Sequence, residues 1–262
     1  MLALVAFGFV LLLGLQWFLF ESLVKPQIEA LEYTRIQQEL ARVQQAFVTQ
    51  ESNLSSVVSD WAAWDDLASF ASKPEPGRAQ EFLGKNPDIS LERLHVNGFL
   101  AADVLNQPLI VNGFDFELEQ EWRPVDWALK LVGTLQPRFT ENPKARISGY
   151  LLAPSNQLVL VAAYPILDSS AQGPSRGVLG MLRVVDPTFI RSIEASVQLQ
   201  LKVDLLTAQA AAELRSIAER ATQDTQGLLV SELEDGTLTG YFVLKDINGQ
   251  SIALVQLVGG SN

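Results

Sequence analysis

Written in sevens, residues 27–72 place Tyr33, Leu40, Phe47, Leu54, Trp61 and Ala68 at one position, and Ile36, Val43, Gln50, Val57, Trp64 and Ala71 at a second. Only Gln50 interrupts this apolar seam. A spacing of 3.5 held this long predicts a helix that keeps one stripe toward a constant partner, either a second helix or a domain laid along it. No glycine or proline falls within the stretch, and Lys73-Pro74-Glu75-Pro76-Gly77 stops it. At the standard rise, roughly 45 residues make a rod of about 70 Å, while one small domain is only about 30 Å across. The rod can therefore carry two stacked domains, or one domain and a stalk. Before it, residues 2–20 are apolar except for Gln16, long enough to cross a bilayer as an uncleaved anchor with Trp17 and Phe18 at the outer interface. No lysine or arginine precedes this run, so flanking charge does not orient it. The large acidic region that follows is expected outside the cytoplasm.

Beyond the breaker the period changes to two. Residues 94–104 and 108–113 predict a hairpin turned at Asn106-Gln107, residues 147–152 and 158–167 a second, and residues 177–185 a fifth strand, with a helix over 126–135 between the hairpins. Five antiparallel strands with helices on one face and a long helix in front fit a PAS-like sheet. A helix over 187–197 leads out. A strand at 200–206, an alanine-rich helix at 208–221 and three strands joined by Asp235-Gly236 and Asn248-Gly249 then predict a second, smaller α/β unit. The expected organisation is an anchor at 1–24, a long signalling helix at 25–72, a membrane-distal PAS-like domain at 73–197, a smaller membrane-proximal domain at 198–258 and a tail at 259–262. The fold class is α+β.

A hydrophobic content of 48% excludes disorder, and a formal net charge of −11 with scattered single cations gives no stripe for a phosphate backbone, so nucleic acid is not an expected partner. One histidine and no cysteine leave little for nucleophilic catalysis or zinc. His95 falls within an apolar strand pattern and reads as an ordinary strand residue. There is no glycine-rich phosphate loop and no calcium loop. No catalytic residue, metal or cofactor is expected.

Four ordered blocks resemble one family. Asp60-Trp61-Ala62-Ala63-Trp64-Asp65-Asp66 is similar to the helical signature of the fourth type of CHASE domain, and Leu94-His95-Val96-Asn97 to the motif that opens its sheet. Residues 161–166 with 173–183 resemble its central strands, and residues 240–249 its closing hairpin. Together they cover most of residues 25–258. The resemblance implies an extracytoplasmic input module of a bacterial receptor, related to the double Cache sensors, with a cyclic-di-GMP cyclase or phosphodiesterase or a histidine kinase as output. Two departures stand out: the chain ends at Gly259-Gly260-Ser261-Asn262 without a second apolar run or an output domain, and Leu67 stands where the family commonly has an aromatic. Either a receptor fragment or an anchored ectodomain acting alone is expected.

A sensor of this kind works by passing a shift of its long helix into the membrane. The polar groups expected over the concave face of the sheet are Asn97, Asp103, Tyr150, Tyr164 and Arg183, while Asp60, Trp61, Trp64, Asp65 and Asp66 form the signature. An arginine in an apolar strand is costly unless paired, so Arg183 either salt-bridges a carboxylate such as Asp65 or Asp103 or awaits an anionic ligand. Asp65 is expected to cap loop amides. The ligand, a small molecule or a protein, is not specified by sequence. The partners expected are the inner membrane through residues 2–20 and a second copy in a parallel homodimer through residues 33–47, the alternative there being this chain's own second domain. A membrane-anchored envelope scaffold is a competing reading, and a hydrolase using Asp65 and Asp103 a third.

Overall fold

The structure, a computed structural model, describes residues 2–73, 78–86, 90–121, 125–142, 144–171, 173–233 and 236–258. The breaker at 74–77, Asp235 of the Asp-Gly turn and the tail at 259–262 lie outside these. Helix α1 (Leu2–Leu19), a π-helical turn (Phe20–Val24) and α2 (Lys25–Ala62) follow one another without interruption. The widened turn directly precedes Pro26, whose ring and missing N–H deny the previous turn its usual partner; the Lys25 amide reaches back to the Phe20 carbonyl instead. This helix contains one window long and apolar enough to cross a membrane.

The rod ends earlier than its heptads suggest. Ala63 leaves the helical region, Trp64 is extended, and a new helix α3 (Asp65–Ser72) starts with two acids in its first turn, where they meet the positive end of its dipole. The seam also moves. Leu40, Val43, Phe47 and Leu54 are buried as the heptads predict, but further along the buried positions are Val58 and Ala62 while Val57 and Trp61 are only half-buried. A straight α-helix drifts about 20° per heptad against a 3.5 repeat, and this rod lies on a sheet rather than supercoiling with a second helix.

Helices α4 (Arg78–Lys85) and α5 (Leu91–Leu94) lead into the first sheet, of β1 (Gly98–Asp103), β2 (Pro108–Asp115), β3 (Gln120–Glu121), β4 (Ile147–Leu152), β5 (Leu158–Pro165) and β6 (Gly177–Val184). Its order is β3-β2-β1-β6-β5-β4, antiparallel throughout. The sixth strand, β3, is only two residues long and has no signal of its own in the sequence. His95 is not a strand residue: it caps α5 in the left-handed region at φ 53°, and β1 begins three residues later. Along β5 and β6, Leu160, Ala162, Leu179 and Met181 pack under α2, while Val159, Val161, Ala163 and Val178 pack under α6 (Val125–Glu141). Covered on both faces, these strands read as continuous apolar runs.

Helix α7 (Pro187–Val197) leads to a second sheet of β7 (Gln200–Leu205), β8 (Leu228–Glu232), β9 (Leu238–Lys245) and β10 (Ser251–Val258), ordered β7-β10-β9-β8, with α8 (Ala212–Gln223) on its outer face. Its inner face meets the earlier half of α2. A Cβ on Gly240 would lie 2.5 Å from Leu40 Cδ1, so the rod touches bare backbone of β9 there. Leu40, Val43 and Phe47 are thus filled by this chain's own second sheet, which corrects the expectation of a homodimer seam through them. The two sheets also meet directly: Tyr150 and Asp246 form a parallel bridge, and Ile247 at the β9–β10 turn packs over Gly149.

Candidate functional site

Register brings one row of the first sheet together. Tyr150 pairs with Leu160, Leu160 with Arg183, and Asn97 precedes β1 alongside Arg183. Strand alternation turns Tyr150, Tyr164 and Arg183 to the α2 face, as the sequence predicts, but the helix fills that face. Four polar rungs join it to the sheet. The Tyr150 hydroxyl donates to the Phe47 carbonyl at 3.0 Å, Arg183 Nη1 to Gln50 Oε1 at 2.9 Å and Ser148 to Glu51 Oε1 at 2.7 Å, while Ser55 and the Tyr164 hydroxyl lie 2.6 Å apart. Apolar packing alone tolerates sliding; these rungs fix the axial position of the rod.

The five expected ligand residues do not gather around one opening. Asp103 accepts the Leu105 and Gln107 amides at 2.8 Å and belongs to the β1–β2 turn. Asn97 donates to the Phe114 carbonyl and accepts the Val184 amide, stitching β1 to β2 and β6. Burial pushes the Tyr150 phenol far up, helped by the Glu51 charge and opposed by Arg183. Asp65 accepts both the amide and the hydroxyl of Ser169 at 2.8 Å, the loop-capping role expected of it. Trp61 and Trp64 meet edge to face at 5.2 Å and join Phe99 and Phe82, while Asp60 and Asp66 are exposed. Asp65 and Asp103 therefore serve separate loops.

Arg183 is the exception. It forms no salt bridge with Asp65 or Asp103: its guanidinium bonds the neutral Gln50 and stacks over the Phe189 ring at 4.7 Å. Burial lowers its pKa from the ordinary value, opposed by the nearby Asp186 carboxylate and Tyr150. It opens into a cavity of about 340 Å³ with Asn97, His95, Phe116, Thr188 and Arg191. Asp186 caps α7 by accepting the Phe189 amide at 2.7 Å, and Arg191 is held by Thr188 at 2.8 Å. Glu92 and Glu117 line it as well. An arginine has five donors in a planar fork, and one of them is committed to Gln50. What remains is a half-buried cation with open donors, able to hold a small carboxylate or another oxyanion in a wall it shares with Arg191 and with the Glu92, Glu117 and Asp186 carboxylates. Gln50 carried a signal, as the one polar break in the seam. The helix over 187–197 starts where the sequence predicts, at Pro187, but the roles of Asp186 as its cap and of Phe189 under Arg183 are not among those expected from the sequence.

A family model described as the CHASE4 domain matches residues 46–204, more than half of the chain. No curated protein matches the sequence. Among solved structures, the periplasmic domain of Vibrio cholerae LuxQ is 11% identical with a TM-score of 0.54, over 86% of this chain and 100% of that one. The extracellular domain of the putative histidine kinase vpHK1S-Z8 is 10% identical with a TM-score of 0.57, over 91% and 97%. A domain of a putative sensory box/GGDEF family protein from Vibrio parahaemolyticus is 10% identical with a TM-score of 0.54, over 90% and 97%. At such identities the likeness is one of fold: a long helix carrying antiparallel Cache-like sheets.

Proposed function

The chain belongs to the CHASE4 domain family, an extracytoplasmic sensing input domain, and we propose that it senses a small anionic ligand in the Arg183 cavity and reports it by moving the long helix. The observation that carries this reading is the 2.9 Å bond from Arg183 Nη1 to Gln50 Oε1, which ties the cavity to the rod. A carboxylate or other oxyanion entering the cavity competes with Gln50 for the guanidinium. A ligand acts only through unequal affinity for two states, and a rung made in one state and broken in the other supplies that inequality. The neutral Gln50 is the weaker acceptor, so a charged ligand wins the exchange.

In this reading residues 2–20 anchor the chain in the bacterial inner membrane, the first sheet with its helices is the membrane-distal unit and the 198–258 unit lies nearer the membrane. Val24, Ile28 and Leu31 are exposed on one face of the rod before its first buried residue. Their spacing of four and three residues makes them, rather than Leu40 and Val43, the surface on which a second copy pairs in parallel. The output that the family resemblance implies is a cyclic-di-GMP enzyme or a histidine kinase; the second and third similar domains are described as parts of a putative histidine kinase and of a putative sensory box/GGDEF family protein.

The test is a thermal-shift survey of small carboxylates and phosphate esters on the full chain in detergent, with wild type and Arg183→Ala in parallel. A ligand at a hundred times its dissociation constant stabilises by about 2.7 kcal/mol. The expected outcome is a compound that stabilises wild type and leaves the variant unmoved. Equal shifts in a folded Arg183→Ala protein for every compound that stabilises wild type would remove the cavity from the sensing role.

A further inference from the structure

A second cavity, of about 200 Å³, lies where the rod ends, between Ser59, Ala62 and Ala63 of the helix terminus, Tyr164 and Pro165 of β5, and Lys144 and Arg146 ahead of β4. Its charged lining is entirely positive. The cavity at Arg183 has Glu92, Glu117 and Asp186 in its wall; the one beside Tyr150 has Glu51 and Asp224, and those along α8 and the early rod also carry carboxylates. In a chain of net charge −11, two cations facing one space with no acid among them is the reverse of the overall balance.

Neither cation is neutralised by a salt bridge to another described residue. The Arg146 guanidinium carbon lies 5.6 Å from the centre of the Tyr164 ring, and its N–H groups have no hydrogen-bond partner among the described residues. Tyr164 is held from the other side through its hydroxyl, 2.6 Å from Ser55, so the ring under Arg146 is fixed to the rod. Ser59, one turn further along the same face of α2, is half-buried, and its hydroxyl has no hydrogen-bond partner among the described residues. A planar fork, an ammonium and a free hydroxyl around a space of this size are the donors a small oxyanion takes up. Two like charges sharing a cavity are also relieved by an anion between them.

We propose that this cavity binds a small oxyanion, of the size of phosphate, sulfate or a short carboxylate, through Arg146, Lys144 and Ser59. The bound anion ties the β4–β5 edge to the last turn of the rod, where the Leu167 amide already donates to the Ala62 carbonyl at 2.9 Å. It is a different site from the Arg183 cavity and shares no lining residue with it. It does not depend on the sensing role of Arg183.

The experiment is a titration of the full chain in detergent with sodium phosphate, sodium sulfate and sodium acetate in separate arms, chloride being adjusted to hold ionic strength constant, with the thermal midpoint as readout. Lys144 and Arg146 are exposed, so Lys144→Gln/Arg146→Gln folds as wild type, and circular dichroism checks this. The expected result is a saturable rise in midpoint with at least one anion, weakened about tenfold or more in apparent affinity in the double variant, as the loss of charge-assisted bonds dictates. In an Arg183→Ala background, where the Arg183 cavity contributes nothing, a saturable rise remains and the added Lys144→Gln/Arg146→Gln changes weaken it. The arm that saturates at the lowest concentration identifies the oxyanion. The proposal is overturned if no arm gives a saturable rise, if the double variant responds as wild type does, or if Arg183→Ala alone abolishes the response.

Discussion

Arg183 and Tyr150 occupy the same row of the sheet and differ in what burial does to them. Arg183 keeps its charge at the mouth of a cavity; Tyr150 is buried with its hydroxyl on the Phe47 carbonyl, and its phenol is raised well above the ordinary value near 10, as to a lesser degree is that of Tyr241. A raised native pKa means that the folded protein resists tyrosinate formation. The resulting stability is complete below about pH 10 and is lost as pH climbs toward the native value. We expect denaturant stability to fall above about pH 10, and Tyr150→Phe to flatten part of that fall; tyrosinate absorbance recorded along the unfolding curve checks it. At Asp65, Asp65→Ala removes both Ser169 bonds at an exposed site, for an expected loss of about 1 kcal/mol. Residue chemistry was partly legible in the sequence. Strand alternation put Tyr150, Tyr164 and Arg183 on one face, and Asp65 read as a loop cap. That Arg183 meets Gln50, 133 positions earlier, was not legible, because the pairing depends on how far along the sheet the rod is set and no local spacing encodes that.

At the scale of elements, hairpins were the easiest to read: Asn106-Gln107 and Asn248-Gly249 sit at the turns they announce, Asn106 and Gly249 both with positive φ. The rod was harder. Its heptads mark a buried stripe but do not say what buries it, and the stripe lies on two sheets of this chain rather than in a coiled coil. The early helix end at Ala62 has no breaker residue; it follows from the turn that lets Trp64 reach Phe82 at 5.6 Å and Asp65 reach Ser169. Close contact between rod and second sheet predicts the effect of Gly240→Ala. The added methyl meets Leu40 and Ile36 in a filled core, and overpacking of this kind costs about 1–3 kcal/mol. Urea unfolding should show that loss, and with Leu40→Ala in the same chain the combined loss should fall short of the sum of the two single losses, because the shortened side chain makes room for the methyl.

The whole molecule is one helix with two sheets fastened along it. A shift of α2 relative to the first sheet is felt by the second, because Leu40 and Phe47 pack against it and the β9–β10 turn holds Ile247 over Gly149. Below these contacts the rod continues through the π-helical turn into the anchor, so an axial or rotational step has a continuous path to the membrane. In the parallel dimer proposed here, cysteines placed at Ile28 or Leu31 form disulfides between copies under mild oxidation, while a cysteine at Val43, fully buried in its own chain, does not. In the proposed mechanism the Arg183 cavity and the rod are energetically joined through Gln50. A double-mutant cycle measures this most directly, comparing the unfolding free energies of wild type, Arg183→Ala, Gln50→Ala and the double variant in detergent. The expected coupling is about 1 kcal/mol, with the double variant losing less than the sum of the two single changes. Additivity within about 0.5 kcal/mol would contradict it, because a cavity with no energetic hold on the rod cannot signal through it.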